Sequence, residues 1–224
     1  MDLVLSSGFL AFARHLGVLR ALEERGQTID GICGTSSGAL IGALWAAGHD
    51  TTRITELVTT KRPVAWLRPH WAIWRGAFST RSFLGFLRDM LPPTFKALER
   101  PFGVGVCGAD GSHCLLTSGS LPDAVAASCA VPYLFAPVTV DGVAYRDGGA
   151  SDRLGVNAWR AYRGPRETIV HLVERSLGSS QTTDCGDACV IRTPRSGASF
   201  WSLGPVEAQI QEAHQLAMAA LISS

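Results

Sequence analysis

The sequence contains one short motif that is typical of a serine nucleophile. Residues Gly34-Thr35-Ser36-Ser37-Gly38 spell G-x-S-x-G, between an apolar run at Ile29–Cys33 and an Ala/Leu-rich helical run at Ala39–Ala47. In that context the serine occupies a sharp strand-to-helix turn, and its hydroxyl projects above the helix N-terminus, which stabilises negative charge. The alternative is structural, because a hydroxyl at this place also caps a helix by accepting a hydrogen bond from its first amides.

A serine hydroxyl needs a base that takes its proton, and the sequence offers four candidates. Asp147 follows a predicted strand and precedes Gly148 and Gly149, which leave space beside it. An aspartate before glycine is also a common turn residue. His15, His171 and His214 are the competing bases, but each lies in a predicted helix or strand, where a histidine is usually structural.

Ester hydrolysis also needs hydrogen-bond donors for the oxyanion that forms on the carbonyl oxygen when the carbonyl carbon is attacked. Ser6-Ser7-Gly8-Phe9 connects the first predicted strand to the first predicted helix. Its amides therefore lie at the carboxyl edge of the sheet, on the same side as the G-x-S-x-G turn, where open α/β sheets bind their ligands. An ordinary tight turn is the alternative interpretation.

The order of the predicted elements favours an α/β fold. The chain opens with a strand at Leu3–Leu5, a helix at about Ala11–Arg25, a strand at Ile29–Cys33 and a second helix, which predicts a parallel sheet with helices on its faces. Later segments predict a helix around Phe83–Met90, strands at 102–107, 114–117, 138–140, 143–145, 168–173 and 190–192, and helices at 121–129 and 205–221. No Pro/Gly/Ser-rich linker divides the 224 residues, so we expect one domain over residues 1–224.

The segment from Lys61 to Phe78 combines aromatic and basic side chains. It includes Trp66, Trp71 and Trp74 among several arginines. This mixture suits a lipid–water interface, so we assign Trp71 and Trp74 as candidate substrate-binding residues and expect peripheral membrane contact. Packing of the same rings into the core is the competing interpretation.

Composition excludes several classes of function. The net charge of +1 gives no field for nucleic acid, and no apolar run has the roughly 18 residues of a membrane-spanning helix. The first residues lack the pattern of a signal peptide, so we expect a cytoplasmic protein. The spacing of the six cysteines does not predict a metal site, and we expect no metal and no other cofactor.

Four ordered motifs resemble the patatin-like phospholipase family. They are the glycine-rich segment and first helix (residues 5–24), the elbow Gly34–Ala39, the segment Ala127–Pro137 and Asp147-Gly148-Gly149. The resemblance implies a three-layer α/β/α fold with a central, mostly parallel sheet, and hydrolysis of acyl esters in lipids. It also implies a Ser-Asp dyad without histidine, in which Ser36 is the nucleophile and Asp147 the base.

The first motif departs from the family pattern. The family usually has three consecutive glycines, then a basic residue and another glycine, whereas Ser7 and Phe9 take two glycine positions here and Ala11 and Phe12 replace the later pair. Backbone amides do not depend on the side chain, so we expect Gly8, Phe9 and Ser37 to form the oxyanion hole and the Phe9 ring to line the acyl channel. The sequence thus predicts a carboxylic ester hydrolase of the phospholipase A, lysophospholipase or esterase type. A catalytically weak lipid-binding module, and a thioesterase or acyltransferase with the same dyad, are the alternatives.

Overall fold

The computed structural model describes residues 1–60, 63–66, 68–69, 77–174 and 185–222. Two sheets are present in these ranges, one of eight strands and one of two. The strands are β1 (Asp2–Leu5), β2 (Gly31–Thr35), β3 (Arg68–Pro69), β4 (Phe78–Ser79), β5 (Phe102–Cys107), β6 (His113–Leu116), β7 (Val138–Val140), β8 (Val143–Asp147), β9 (Thr168–Val173) and β10 (Cys189–Thr193).

Helices connect and cover the larger sheet. Short 3-10 turns occur at Pro63–Trp66, Phe95–Ala97 and Gly148–Ala150. The α-helices are α1 (Phe12–Glu24), α2 (Ser37–Ala46), α3 (Thr51–Thr59), α4 (Arg81–Met90), α5 (Leu121–Ser128), α6 (Val156–Arg163) and α7 (Val206–Ala220).

The central sheet is mostly parallel, as the sequence predicts. Its strand order is β10-β9-β1-β2-β5-β8-β7, and the first five of these strands run parallel. β6 pairs antiparallel with β5, and β8 pairs antiparallel with both β5 and β7. Leu5 is in register with Gly34, and Thr35 with Gly105, so the loops after β1 and β2 leave the same edge of the sheet.

Alternation along the strands separates the two faces of the sheet. Leu3 and Leu5 of β1 belong to the larger apolar cluster, which includes α1, α2, α5 and α7. Val4 between them belongs to a second cluster, built around Trp159 of α6 on the opposite face. Helices therefore lie on both sides of the sheet, which is the expected three-layer α/β/α arrangement.

The sequence did not predict the helices α3 and α6, and the bounds of β2 differ from the predicted ones. Only Thr51, Ile54 and Val58 of α3 are buried, a stripe too narrow to stand out in a threonine-rich segment. α6 buries only Val156 and Trp159 and begins after Gly155 with a left-handed φ of 67°, which no periodicity indicates. β2 begins and ends two residues later than expected, because its pairing with β1 starts at Gly31 and its pairing with β5 continues to Thr35.

No helix among the described residues has both the length and the apolar character that crossing a bilayer requires.

Candidate active site

Ser36 occupies the sharp turn between β2 and α2 that its motif predicts. Its backbone has φ 54° and ψ −118°, a conformation that costs a non-glycine residue roughly 1–3 kcal/mol and that clusters at functional sites. The two glycines of the motif allow this turn because each lies against backbone atoms that a side chain would clash with. A Cβ on Gly34 would lie 2.5 Å from the Gly38 carbonyl oxygen, and one on Gly38 would overlap the Leu5 carbonyl oxygen.

Asp147 lies directly beside this serine. The Ser36 hydroxyl donates a hydrogen bond of 2.6 Å to Asp147 Oδ2, although the two residues are 111 positions apart. Antiparallel pairing of Val106 with Asp147 brings the end of β8 next to the end of β5, close to the elbow. The other carboxylate oxygen, Oδ1, accepts from the Gly149 amide at 2.7 Å, so the Asp-Gly-Gly turn orients the carboxyl group.

Burial changes the acidity of this carboxyl group. Desolvation raises the pKa of Asp147 to about 6, and the hydrogen bonds from Ser36 and Gly149 lower it in part. A base is most effective when its pKa lies near the working pH, because it is then both unprotonated and a sufficiently strong acceptor. The environment of Asp147 therefore suits proton transfer from Ser36 near neutral pH.

Ser128 supports the turn at Ser36 and was not identified from the sequence as a site residue. Its hydroxyl accepts from the Ser36 amide at 2.8 Å and donates to the Gly105 carbonyl at 2.7 Å. The only sequence signal is its position within the Ala127–Pro137 segment of the family resemblance. Ser128 thus ties the strained turn to β5.

The candidate oxyanion donors lie around Ser36. The Gly8 and Phe9 amides, in the loop after β1, donate to no acceptor within the described part of the chain. Ser37 is the first residue of α2, where amides have no intrahelical acceptor. Gly8, Phe9 and Ser37 line the same cavity as Ser36.

The histidines are arranged differently from a triad. His15 and His171 are fully buried with their Nδ1 atoms 2.9 Å apart, while the Nε2 atoms contact Ser37 Oγ and Thr193 Oγ1. Desolvation lowers the pKa of His15 to about 3 and holds the pKa of His171 well below its usual range, so both rings are neutral. His214 pairs with Glu24 at the surface. Within the described contacts, no histidine hydrogen-bonds to Ser36 or Asp147.

Two recesses meet at Ser36. One is a mainly apolar cavity and the other a more polar cleft that also reaches Asp147 and Arg153, with Phe9 at the border of both. The Phe9 ring is 52% exposed and packs edge-on against Phe200 at 5.1 Å. The apolar cavity is lined further by side chains that the sequence analysis did not assign to the site: Leu40, Leu57, Val58, Phe83, Phe86, Val131, Leu134, Phe135 and Leu203.

Three aromatic residues were predicted to bind the substrate. Two of them, Trp71 and Trp74, lie outside the described residues. Of the predicted substrate-binding residues, Phe9 alone falls in the described ranges, and it lies at the mouth of the apolar cavity.

Comparison with known proteins shows the family of this chain. The family model for patatin-like phospholipases matches residues 3–158. An uncharacterised NTE family protein of Mycobacterium tuberculosis is 34% identical over 165 residues, which cover 70% of this chain and 46% of the relative. Neuropathy target esterase sws of Drosophila melanogaster is 27% identical over 193 residues, which cover 82% of this chain and 13% of that protein. The chain thus spans about half the length of the first of these relatives and a smaller part of the second.

Solved structures with the same fold are more distant in sequence. VipD from Legionella pneumophila superposes with a TM-score of 0.63 at 15% identity, covering 99% of this chain and 66% of VipD. The type III effector ExoU superposes with a TM-score of 0.57 at 15% identity, covering 99% of this chain and 53% of ExoU. These likenesses show the fold. Together with the matched family model and the ordered motifs, they establish that this chain belongs to the patatin-like phospholipase family.

Proposed function

We propose that this chain is a serine acyl hydrolase that cleaves carboxylic ester bonds of lipids with Ser36 as nucleophile and Asp147 as base. The observation that carries the proposal is the 2.6 Å hydrogen bond between the Ser36 hydroxyl and Asp147, together with the raised pKa of that carboxyl group. One oxygen of the Asp147 carboxylate caps the Asp-Gly-Gly turn, and the other oxygen accepts from a serine hydroxyl in a strained turn, a contact that the cap does not require. It is the arrangement that makes a hydroxyl nucleophilic.

In the first half of the reaction, Ser36 Oγ attacks the ester carbonyl carbon while Asp147 Oδ2 accepts the hydroxyl proton. The resulting tetrahedral oxyanion is held by the Gly8, Phe9 and Ser37 amides. Its collapse breaks the bond to the alcohol oxygen. Asp147 returns the proton to that oxygen, which leaves as an alcohol, and the acyl group remains on Ser36.

The second half repeats these steps with water. Asp147, again unprotonated, accepts a proton from water as the water oxygen attacks the acyl-enzyme carbonyl. Breaking the bond to Ser36 Oγ releases the fatty acid and returns the proton to the serine. One carboxylate therefore serves both halves, and no histidine is needed.

The two recesses support an amphiphilic substrate. A chain of carbon atoms fits the apolar cavity lined by Phe12, Leu40 and Phe83, whereas the polar cleft beside Arg153 and Arg195 suits a head group. The Phe9 ring at the boundary then lines the acyl channel while its amide serves the oxyanion. Phospholipase A, lysophospholipase and esterase activities all fit this division, with peripheral contact to a lipid surface.

Acyl transfer is the second candidate, because the polar cleft that reaches Asp147 is open to solvent and admits small alcohols as well as water. The same dyad is also suited to thioesters. Binding of lipid without catalysis is the remaining alternative, and it requires that Asp147 not activate Ser36.

A panel of substrates separates these possibilities. Esters, lysophospholipids, phospholipids and acyl thioesters of matched chain length would be tested with and without an acceptor alcohol. We expect ester hydrolysis that falls at least ~10³-fold in Ser36→Ala and Asp147→Asn and persists in the control His214→Gln. Products that are mainly new esters would favour the transferase, and lipid binding without turnover would favour the binding module.

A further inference from the structure

Arg153 makes an unusual set of contacts with the loop after β1. Its Nη2 donates to the Ser7 carbonyl at 2.9 Å and to the Val173 carbonyl at 2.6 Å, and its Nε donates to the Ser7 hydroxyl at 3.3 Å. In return, the Ser7 amide donates to the Arg153 carbonyl at 2.8 Å. One residue therefore binds Ser7 through the amide, the carbonyl and the side chain.

The position of Ser7 makes these contacts important for the site. Ser7 directly precedes Gly8 and Phe9, the two loop residues whose amides are candidate oxyanion donors. It also approaches the turn of the catalytic aspartate, because a Cβ on Gly149 would lie 2.7 Å from the Ser7 hydroxyl. Arg153 lines the polar cleft together with Ser36 and Asp147. The arginine thus joins the oxyanion loop to the end of β9, and Ser7 connects this pair to the aspartate turn.

Sequence departures in the loop coincide with this arrangement. The glycine position at 7 carries a serine, whose hydroxyl is one of the acceptors for Arg153, and the usual basic position carries Ala11, which is fully buried. A cation absent from the loop itself is therefore present beside it, six residues after Asp147. An arginine suits this place because its planar fork donates to several acceptors at once, which a lysine ammonium does with less geometric precision.

We propose that Arg153 is a positioning residue that fixes the loop Ser7–Phe9 so that the Gly8 and Phe9 amides face the oxyanion. The inference rests on the proposed function and deepens it. Among the contacts of the described residues, loss of the fork leaves Ser7 bound through its amide alone, so the two donors lose their fixed direction. Because these donors matter most when negative charge develops, kcat falls more than KM changes.

The test uses Arg153→Met, Arg153→Lys and the control Arg160→Met. Arg160 lies on α6 and pairs with the exposed Asp187, away from the loop. For hydrolysis of a soluble short-chain ester, we expect Arg153→Met to lower kcat by about 10²-fold, the loss typical of one oxyanion donor, with KM within about twofold. Added guanidinium ion should restore part of this activity in Arg153→Met and none in Arg160→Met.

Several results would overturn the inference. A folded Arg153→Met protein with wild-type kcat would do so, as would a raised KM with unchanged kcat, which indicates head-group binding instead. If Arg153→Met does not fold, Arg153→Lys decides: a reduced kcat at unchanged KM supports positioning, and a wild-type kcat contradicts it. A wild-type protein without ester turnover or fluorophosphonate labelling would contradict the proposed function itself, and so differs from all of these outcomes.

Discussion

The elbow around Ser36 and the loop after β1 lie at the same edge of the sheet but are fixed in different ways. The elbow depends mainly on close backbone packing of Gly34 against Gly38 and of Gly38 against the end of β1, with one further hydrogen bond from the Ser36 amide to Ser128. The loop is held by distant side chains, with Arg153 bound to Ser7 and the Ser196 hydroxyl donating to the Phe9 carbonyl at 2.6 Å. A motif encodes the first arrangement, whereas the second depends on residues far along the chain.

The elbow and the loop after β1 should therefore differ in how well they tolerate substitutions. A close backbone contact has no freedom to adjust, so the elbow sequence is restricted to glycine at two positions. The loop at Gly8 meets side chains rather than backbone, and it differs from the family's glycine pattern at Ser7 and Phe9 while lining the same cleft as Ser36. The turn at Ser36 thus depends mainly on close backbone packing, and the loop mainly on contacts with residues far along the chain.

Alanine substitutions at one glycine of each region should give effects of very different size. Gly38→Ala forces a Cβ against the Leu5 and Ser6 carbonyl oxygens, and we expect a loss of about 3 kcal/mol or more in the free energy of unfolding. Gly8→Ala places a Cβ 2.8 Å from the Ala11 Cβ and 3.2 Å from Val173, with no backbone atom among its three nearest neighbours, and we expect a smaller loss of about 1–2 kcal/mol. Chemical denaturation of both variants measures the difference.

Gly85→Ala is the control for these two variants. Gly85 lies inside α4 with nothing near its Cβ position, so alanine there should add about 0.5–1 kcal/mol of stability. Equal losses for Gly38→Ala and Gly8→Ala would show that the two regions do not differ in rigidity.

The raised pKa of Asp147 predicts a stability cost that depends on pH. The pKa rises from 3.8 in the unfolded chain to about 6 in the folded protein, so the folded state holds its proton more tightly. The cost is absent well below pH 3.8, where both states are protonated, and is under about 1 kcal/mol at pH 4; it grows as the pH rises to about 6 and then stays constant at up to about 3 kcal/mol.

Asp147→Asn removes this cost and should be more stable than the wild type above pH 6, with the difference becoming small near pH 4. Denaturant titrations at pH 4 and pH 8 measure it. Glu207→Gln serves as a control, because that carboxylate lies at the surface beside Arg20. A wild type as stable as Asp147→Asn at pH 8 would contradict the burial argument.

Phe9→Gly tests the loop with a smaller expected effect. The substitution keeps the amide and removes the ring, so we expect kcat to stay within about tenfold and the preferred acyl chain length to change. The ratio of kcat/KM for short and long esters measures this change, with Tyr162→Ala as the control for removing an aromatic ring of similar exposure away from both recesses. An equal increase on every ester would show instead that the ring obstructs the site.

The sequence predicted the parts that follow from local pattern and from ordered motifs. Short apolar runs indicated the central strands, and the Gly-x-Ser-x-Gly and Asp-Gly-Gly motifs indicated the two residues that meet at 2.6 Å. It did not indicate Ser128, Arg153 or Ser196, because their contacts join residues 92, 146 and 187 positions apart. Such partners are fixed by the folded backbone, and no spacing rule reports them.

The same limit applies to the lining of the apolar cavity. Phe83 and Phe86 of α4 were expected on the apolar side of a helix, but periodicity does not distinguish core packing from a binding cavity. For His15 and His171, the positions in a predicted helix and a predicted strand indicated a structural role rather than a catalytic one. Their buried contact with each other agrees with that interpretation.

If Asp147 activates Ser36, the rate at which a reagent modifies the serine should depend on the ionisation of the aspartate. The rate at which a fluorophosphonate modifies Ser36 would be measured from pH 4.5 to 8.5 in the wild type and in Asp147→Asn, with the modified peptide identified by mass spectrometry. We expect a rate that rises with an apparent pKa of about 6 in the wild type, and a rate at least ~10²-fold lower and nearly independent of pH in Asp147→Asn. Labelling of Asp147→Asn at the wild-type rate, or with the same dependence on pH, would show that Asp147 does not activate Ser36.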